Sequence, residues 1–374
     1  MLQSLDHATI AVRDLAAAAK TYTALLGRLP SWRGEHPALG TENVLYRLDN
    51  TTLELLCPQS GRRPAEGLRA RLEEKGEGLL GLAFGTEDAD SCRRELVKRG
   101  LHPAAQREDL GRELESGAVR EFRNVLLASE ESRGLLLFAI QHLSPPGLLP
   151  PARLVAPAAS AVTGVDHVVV RTVDAESAKQ LYGQKLGIRL ALDQTFQEWG
   201  TRLLFFRIGG LTIEVAASLA EEVGAGAADE LWGIAYRVPD ADAARERLAG
   251  EGFDVSEVRR GRKPGTRVFT VRSETHGVPT LCLEAFSQRK RAGGRWGDRR
   301  RAVMTPSQGG TFTRLALQSP CLPSPRGMNF QQADFATLSR WRALALASRR
   351  KKSPFRRGKD FPTRAQLRPG LPSC

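Results

Sequence analysis

The alternation of hydrophobic and polar residues over the first sixty positions predicts one strand, one helix and further strands. Residues 8–12 form a short β-prone run, and Leu15 to Leu26 has helical composition. Asp14 is a suitable N-cap for that helix, and Gly27 is a suitable stop because glycine adopts positive φ at little cost. Further strands are expected near Leu29 to Trp32, Asn43 to Leu48 and Thr52 to Leu56.

The following segment has the same order of elements. Leu79 to Phe84 is a predicted strand, and Asp88 to Arg99 is a predicted helix that ends at Gly100. Further strands are expected near Val119 to Leu127 and Leu135 to Ile140. Each segment therefore resembles a βαβββ module.

Both segments recur later in the chain. A shift of 160 positions aligns Asp6-His7 with Asp166-His167, Asp14 with Asp174, Tyr22 with Tyr182, Gly27 with Gly187, Arg47 with Arg207 and Glu54 with Glu214. A shift of 152 positions aligns Gly81 with Gly233 and Gly100 with Gly252. Identities spaced so evenly indicate duplication. The sequence therefore predicts an α+β fold of four βαβββ modules in two tandem halves.

Composition changes mark the expected boundaries. We expect a first half at 1–143 (modules about 1–58 and 76–143), a Pro-rich linker at 144–162, a second half at 163–286 (modules about 163–218 and 229–286) and a basic tail at 287–374. The tail holds 20 Lys/Arg and 3 Asp/Glu of the 55 and 42 in the whole chain, so its net charge is +17. The remainder has 35 basic and 39 acidic residues, a net charge of −4. The basic average therefore does not make the body a nucleic-acid binder.

The tail is expected to be disordered and dispensable, because such a composition cannot bury enough apolar surface to offset its ordering entropy. It is either an extension without selected function or a basic arm that makes weak, non-specific contacts with nucleic acid. The body has no apolar run long enough for a membrane span and no apolar signal segment near Met1. Five scattered cysteines suggest reduced thiols, and we expect a cytoplasmic protein.

Four segments carry a resemblance to a known family: "LDHATIAVRDLAAAAKTYTALLG", "GTENVLYRLDNTTLELL", "VDHVVVRTVDAESAKQLYGQKLG" and "GVPTLCLEAF". Over about Met1 to Phe286 the chain resembles the vicinal oxygen chelate superfamily, which includes glyoxalases, bleomycin-resistance proteins and extradiol dioxygenases. The resemblance implies that each half is a curled mixed sheet with helices outside. It also implies a divalent metal in the cup, held by residues of the first and last strands of each module.

Two histidine–glutamate pairs occupy those ligand positions. His7 precedes Glu54 by 47 residues, and His167 precedes Glu214 by the same number. Imidazole and carboxylate donors suit Zn, Ni, Mn or Fe(II). The alternative for each pair is a hydrogen-bonded structural contact, which duplication would copy equally well.

Glu284 in "LCLEAF" occupies a further ligand position of the second half, whereas Gly81, Phe138 and Gly233 stand where other ligands would be. We therefore expect the metal in the second half, held by His167, Glu214 and Glu284. His7 and Glu54, alone or with Glu284, are the alternative ligand set. Glu214 or Glu284 is expected to move a proton during catalysis.

Three residues are candidates for substrate binding. Arg120 and Arg267 precede similar strands and would bind an anionic substrate, and His36 lies on a loop from which it reaches the cup. The function expected is a metal-dependent lyase or isomerase of glyoxalase type that acts on a small oxygen-bearing molecule. A metal-free binding or resistance protein is the alternative, and an extradiol-type dioxygenase the third possibility.

Overall fold

The computed structural model describes residues 1–61, 63–220, 228–272 and 275–285, which belong to one compact unit. The predicted tail lies outside the described residues. The first half contains β1 (Ser4–Ala11), α1 (Leu15–Leu26), β2 (Trp32–His36), β3 (Thr41–Arg47), β4 (Thr52–Pro58), α2 (Glu66–Lys75), β5 (Gly78–Gly85), α3 (Ala89–Lys98), β6 (Arg107–Glu113), β7 (Val119–Leu126) and β8 (Leu136–His142).

The second half contains β9 (Gly164–Thr172), α4 (Ala175–Lys179), β10 (Arg189–Phe196), β11 (Thr201–Ile208), β12 (Leu211–Ser218), β13 (Glu230–Arg237), α5 (Ala241–Gly250), β14 (Arg259–Arg260), β15 (Thr266–Val271) and β16 (Thr280–Ala285). Helix α4 continues as a π-helical turn, Gln180–Lys185. Short 3-10 turns cover Arg63–Ala65, Pro146–Leu148 and Gln197–Trp199.

The first sheet closes into a barrel in the order β1-β4-β3-β2-β6-β7-β8-β5. It is mixed: β1 pairs with β4 and β5 pairs with β8 in parallel, and the other neighbours are antiparallel. The seam that closes the barrel is the pairing of β2 with β6, where Gly34 faces Glu113 and Glu35 faces Arg112.

The second sheet has eight strands in the order β10-β11-β12-β9-β13-β16-β15-β14 and stays open. Strands β10 and β14 are its two ends, although they correspond to β2 and β6, which pair in the first half. The two halves therefore share α+β architecture but differ in closure, which the sequence analysis did not predict.

The predicted ends of helix α1 are confirmed. The Asp14 side chain accepts hydrogen bonds from the backbone N–H groups of Ala16 and Ala17, and Gly27 ends the helix with φ 65°. One predicted strand is displaced, because the strand expected at Leu29 to Trp32 lies at Trp32–His36.

The Pro-rich segment between the halves is bound along the first half. The backbone N–H of Leu29 donates to the carbonyl of Arg153, and that of Ala152 donates to the carbonyl of Arg47. The Arg28 guanidinium donates to the carbonyl of Ala152. The segment is therefore part of the packed structure rather than a free linker.

Helices α1 and α3 contact the first sheet, and α4 and α5 contact the second. Buried residues from both halves form one continuous hydrophobic core, from Leu5 on β1 to Cys282 on β16. The helices cover the face of each sheet that carries these residues, so the other face of the first sheet is turned to the barrel interior. Among the described residues, no helix is both long and apolar enough to cross a membrane.

Candidate active site

The barrel of the first half encloses a cavity of about 450 Å³. Its wall is mostly apolar and includes Trp32, Leu45, Leu56, Phe122, Phe138 and Ile140. A cluster of polar side chains lies within this wall, made of His7, Thr9, His36, Asn43 and Glu54. A concave apolar cavity with a few convergent polar groups is typical of a ligand-binding site.

Glu54 on β4 is the centre of the polar cluster. Its side chain is 9% exposed and accepts hydrogen bonds from the Thr9 hydroxyl at 2.8 Å and the Asn43 amide at 2.9 Å. The Nε2 atoms of His7 and His36 lie 3.6 Å and 3.4 Å from its two carboxylate oxygens. Burial raises the pKa of Glu54, but the two histidines and Asn43 outweigh burial and lower it to about 2. Glu54 is therefore ionised at neutral pH.

His7 on β1 is oriented by a carboxylate. Its Nδ1 atom lies 2.8 Å from one oxygen of Asp6, and the other oxygen of Asp6 lies 2.9 Å from Nε2 of His142. Burial lowers the pKa of His7, but Asp6 and Glu54 outweigh burial, so the net shift is upward. An imidazole that donates one N–H to a carboxylate and presents its other nitrogen to a site is the usual arrangement of a metal-binding histidine.

His36 at the end of β2 reaches the same carboxylate from another direction. Its Nδ1 atom lies 3.3 Å from the Leu110 carbonyl oxygen, and its Nε2 atom lies 3.0 Å from Asn43 Nδ2. Its ring meets Phe122 edge-on, with centroids 5.9 Å apart. Burial alone would lower the pKa of His36, but the contact with Glu54 raises it by more, so the net shift is upward. The structure thus places His36 in the cavity, at a strand end rather than on a loop.

Arg120 on β7 brings a positive charge into the cavity. Its guanidinium lies over the Trp32 ring, 5.4 Å from the ring centroid. In the part of the chain that the structure describes, Arg120 forms no hydrogen bond and no ion pair. The other arginines of the cavity wall have partners, because Arg47 Nη1 donates to backbone carbonyls of the Pro-rich segment and Arg107 lies 3.6 Å from Asp109.

The second half carries the same histidine–glutamate pair in different surroundings. His167 Nε2 lies 3.6 Å from Glu214, and His167 Nδ1 lies 3.1 Å from Asp166, which repeats the arrangement of the first half. The strand registers equate Thr9 with Val169, His36 with Phe196 and Asn43 with Leu203. Thr9, His36 and Asn43, three polar neighbours of Glu54, therefore correspond to apolar residues in the second half, whereas the histidine is kept.

Glu284 does not join this second pair. The register of β16 equates Glu284 with Gln141, and Leu281 with Phe138. Glu284 accepts a hydrogen bond from the first backbone N–H of α5, as Gln141 does from the first N–H of α3. Leu281 shares a face with His167, and Glu284 is three residues further along, so it points to the helix side. Glu284 is therefore not beside His167, and its expected roles there as a metal ligand and as a proton-transfer group are corrected.

Arg267 is also corrected as a substrate-binding candidate. The strand registers equate it with Arg123 rather than with Arg120. Its guanidinium pairs with Asp242 and with Glu284. Arg267 therefore belongs to an ion-pair network beside α5, and Arg120 alone of the two lines a cavity.

Within the described ranges, no group of three or more His, Cys, Asp or Glu side chains is placed to hold a metal ion. The pair of His7 and Glu54 offers an imidazole nitrogen and a carboxylate, which Zn, Ni, Mn and Fe(II) accept. Beside this pair, Asn43 Oδ1 is buried and has no hydrogen-bond partner among the described residues. These donors fit a divalent ion whose coordination is completed by water or by substrate oxygens.

Sequence reasoning missed two residues of the cluster, Thr9 and Asn43, and also His142, which contacts Asp6 beside it. Thr9 and Asn43 had a signal, since each is polar where the aligned repeat residue is apolar. His142 had none, because its contact with Asp6 depends on the pairing of strands that lie far apart in the chain.

Comparisons with known proteins agree with this architecture. A family described as "Glyoxalase-like domain" matches residues 5–160, and one described as "Glyoxalase/Bleomycin resistance protein/Dioxygenase superfamily" matches residues 166–270. The ethylmalonyl-CoA/methylmalonyl-CoA epimerase of Cereibacter sphaeroides is 31% identical over 100 residues, which are 27% of this chain and 73% of that protein.

Two solved structures are similar in fold. A triple mutant of 4-hydroxymandelate synthase from Streptomyces coelicolor aligns with a TM-score of 0.55 and 18% identity over 76% of this chain and 94% of its own. A hypothetical protein from Staphylococcus aureus aligns with a TM-score of 0.53 and 9% identity over 76% of this chain and 100% of its own. The epimerase relative and the two family matches show that this chain belongs to the vicinal oxygen chelate superfamily.

Proposed function

We propose that the first-half cavity is the active site of a metal-dependent lyase or isomerase that moves a proton on a small oxygen-bearing substrate. The observation that carries this proposal is the cluster around Glu54, an ionised carboxylate between two imidazoles in an enclosed apolar cavity. The second half keeps His167 and Glu214 but has apolar residues in place of that cluster. The proposal therefore moves the reaction from the second half, where the sequence favoured it, to the first.

His7 and Glu54 would hold the metal ion, with Asn43 Oδ1 as a further oxygen donor. When bound, the ion supplies a Lewis acid that polarises the substrate oxygens. Asp6 fixes the ring of His7 so that Nε2 faces the site. The low pKa of Glu54 makes this carboxylate a weak base, so it is suited to holding a cation rather than to taking a proton from carbon.

His36 is the group placed to move the proton. Its Nε2 atom is in the cavity beside Glu54, and the Leu110 carbonyl holds the other side of the ring. The contact with Glu54 raises the pKa of His36, which favours the protonated ring, so His36 is suited to donating a proton and taking it back in general acid–base catalysis. The surrounding apolar wall, with Phe122 against the His36 ring, excludes water from the reacting atoms.

Proton exchange with solvent tests this proposal. The curated relative is named for ethylmalonyl-CoA and methylmalonyl-CoA, so the first probe is methylmalonyl-CoA in D₂O with added Ni²⁺, Zn²⁺, Mn²⁺ or Fe²⁺. We expect NMR to show exchange of the proton between the two carbonyl groups. His36→Gln should slow it at least about 100-fold, the usual contribution of a general acid–base group. Glu54→Gln should slow it as well, because it weakens metal binding. Glu214→Gln is the matched control and should stay close to wild type.

Metal binding gives a readout that needs no substrate. Titration calorimetry on chelator-treated protein should show one divalent ion whose Kd rises at least about tenfold in Glu54→Gln. If binding and exchange are instead lost in Glu214→Gln and kept in Glu54→Gln, the second half is the site and the proposal is wrong.

A small-molecule binding protein without chemistry is the second candidate. The mostly apolar wall and the unpaired Arg120 favour it, because both features bind a ligand without requiring the Glu54 cluster. Under this alternative, ligands bind to the first-half cavity. The wild-type protein then exchanges the protons of these ligands with solvent no faster than Glu54→Gln does.

A further inference from the structure

The first-half cavity has one cationic group, Arg120, that forms no direct ion pair with a described residue. Arg120 projects from β7, its guanidinium lies on the Trp32 ring, and it forms no hydrogen bond or ion pair with a described residue. Burial lowers the pKa of Arg120 because desolvation is not offset by a contacting carboxylate. A cation held in this way is costly without a ligand and is therefore an anchor for an anion.

The free N–H groups of Arg120 determine how that anion is bound. A guanidinium is planar and presents its N–H groups at its edges, and no described residue accepts a hydrogen bond from those of Arg120. A carboxylate matches this edge with two parallel hydrogen bonds. The anchor therefore selects a planar two-oxygen anion by shape as well as by charge.

The rest of the cavity indicates the remainder of the ligand. Phe122 is two residues from Arg120 on the same strand, so both side chains point into the barrel. Phe122 contacts the ring of His36, whose Nε2 atom lies beside Glu54. An apolar surface that includes Phe122 and Phe138 thus lies between Arg120 and the proposed reaction centre at His36 and Glu54.

The charge of the cavity favours a monoanion. Arg47 donates from Nη1 to backbone carbonyls and keeps its charge, and Arg107 lies beside Asp109. The charge of Arg47 and the carboxylates of Asp6 and Glu54 all act on Arg120, so two cations stand against two anions there. A carboxylate is matched by the single guanidinium of Arg120, whereas a phosphate dianion would bring a second negative charge close to Asp6 and Glu54.

We infer that the substrate of the first-half cavity is a small monocarboxylate with an apolar body, held by a bidentate contact with Arg120 on Trp32. This inference rests on the proposed function for the place of the reaction. The binding step itself needs only Arg120 and the apolar wall, so it can be measured whether or not Glu54 and His36 perform chemistry.

The test uses a matched pair of probes on the full-length protein. Titration calorimetry with 3-phenylpropanoate and with its neutral isostere 3-phenylpropanamide should give a Kd at least about tenfold lower for the acid, since a charge-assisted bidentate contact is among the stronger hydrogen-bonded pairs. Arg120→Gln should raise the Kd of the acid at least about tenfold and change that of the amide less than about threefold. Arg120→Lys should lie between, because lysine keeps the charge and loses the fork.

Two controls separate the possible outcomes. Arg123→Gln changes an arginine on the same strand that is paired with Glu108, and should leave the Kd of the acid unchanged. Glu54→Gln should still bind the acid, so loss of proton exchange with retained binding supports both proposals. If wild type binds acid and amide equally, or Arg120→Gln binds the acid as well as wild type, this inference is overturned whatever the fate of the proposed reaction. Inorganic phosphate that binds more tightly than the acid and depends on Arg120 would also overturn it.

Discussion

Replacing Thr9 with valine removes one hydroxyl group from the Glu54 cluster and changes little else. Thr9 is 3% exposed, and its hydroxyl donates to Glu54 at 2.8 Å. Valine has nearly the same shape, and it is the residue that the repeat has at the equivalent position, Val169. We expect Thr9→Val to lower the free energy of unfolding, because a buried ionised carboxylate loses one of its hydrogen-bond donors.

The magnitude follows from the charge on the acceptor. A hydrogen bond to a charged group contributes about 1.5–3 kcal/mol. The pKa of Glu54 in the folded protein is lowered to about 2, so its ionisation stabilises the fold above the pKa of the unfolded state. That stabilisation is lost as the pH falls through the folded value. The difference between wild type and Thr9→Val should therefore be complete at pH 7 and shrink between about pH 4 and pH 2.

Urea unfolding in the presence of a chelator measures the effect without bound metal. The cost of Thr9→Val should fall to about half in a Glu54→Gln background, since a neutral acceptor gains only about 0.5–1.5 kcal/mol from the same donor. Val169→Thr is the control in the second half and should not destabilise. A loss below about 0.5 kcal/mol for Thr9→Val, or an equal loss in both backgrounds, would refute the reasoning that a buried charge dominates this cluster.

Two further stability predictions concern the frame around the site. The side chain of Asp229 is fully buried and lies 2.9 Å from the Arg133 guanidinium, so Arg133→Met leaves it without its ion-pair partner. Urea unfolding should show that the free energy of unfolding falls by about 3–5 kcal/mol. A fall of less than about 1 kcal/mol would contradict this prediction. Gly34→Ala places a Cβ 2.6 Å from the Arg112 carbonyl oxygen at the barrel seam. The melting temperature of Gly34→Ala should fall by several degrees. The control Gly67→Ala, whose added Cβ meets nothing within 4 Å, should melt at the temperature of the wild type. Equal melting temperatures of the two variants would exclude strain at the seam.

Local rules predicted most of the elements near the N-terminus. The ends of α1 followed from Asp14 and Gly27, whose cap chemistry depends on residues within four positions. Strand β6 (Arg107–Glu113) was not predicted, because its sequence REDLGRE has too few apolar residues to show a strand pattern. Its formation depends on pairing with β2 and β7, and such pairing is set by the barrel rather than by the segment itself.

The histidine–glutamate pairs were predictable from the sequence, and the placement of Glu284 was not. His7 and Glu54 repeat at equal spacing, so one alignment identified them and their equivalents. Glu284 was aligned with Phe138 on similarity of a short apolar run, a displacement of three residues from the register that the strands adopt. In a strand an odd displacement moves a side chain to the opposite face, so this small error changed the expected site completely. The same kind of error linked Arg267 with Arg120.

Closure of the sheet distinguishes the two halves more strongly than their shared histidine–glutamate pair does. In the first half β2 and β6 pair, and the Glu54 side chain is 9% exposed; in the second half the corresponding strands are the two ends of an open sheet, and the Glu214 side chain is 18% exposed. A closed sheet excludes water, and exclusion of water strengthens every interaction of a charge inside it. A carboxylate in that position must have donors, which accounts for Thr9, Asn43 and His36 occurring only around Glu54. Since both halves carry the pair but only one copy lies in a closed barrel, the pair alone does not distinguish the proposed site, whereas the donors around Glu54 do.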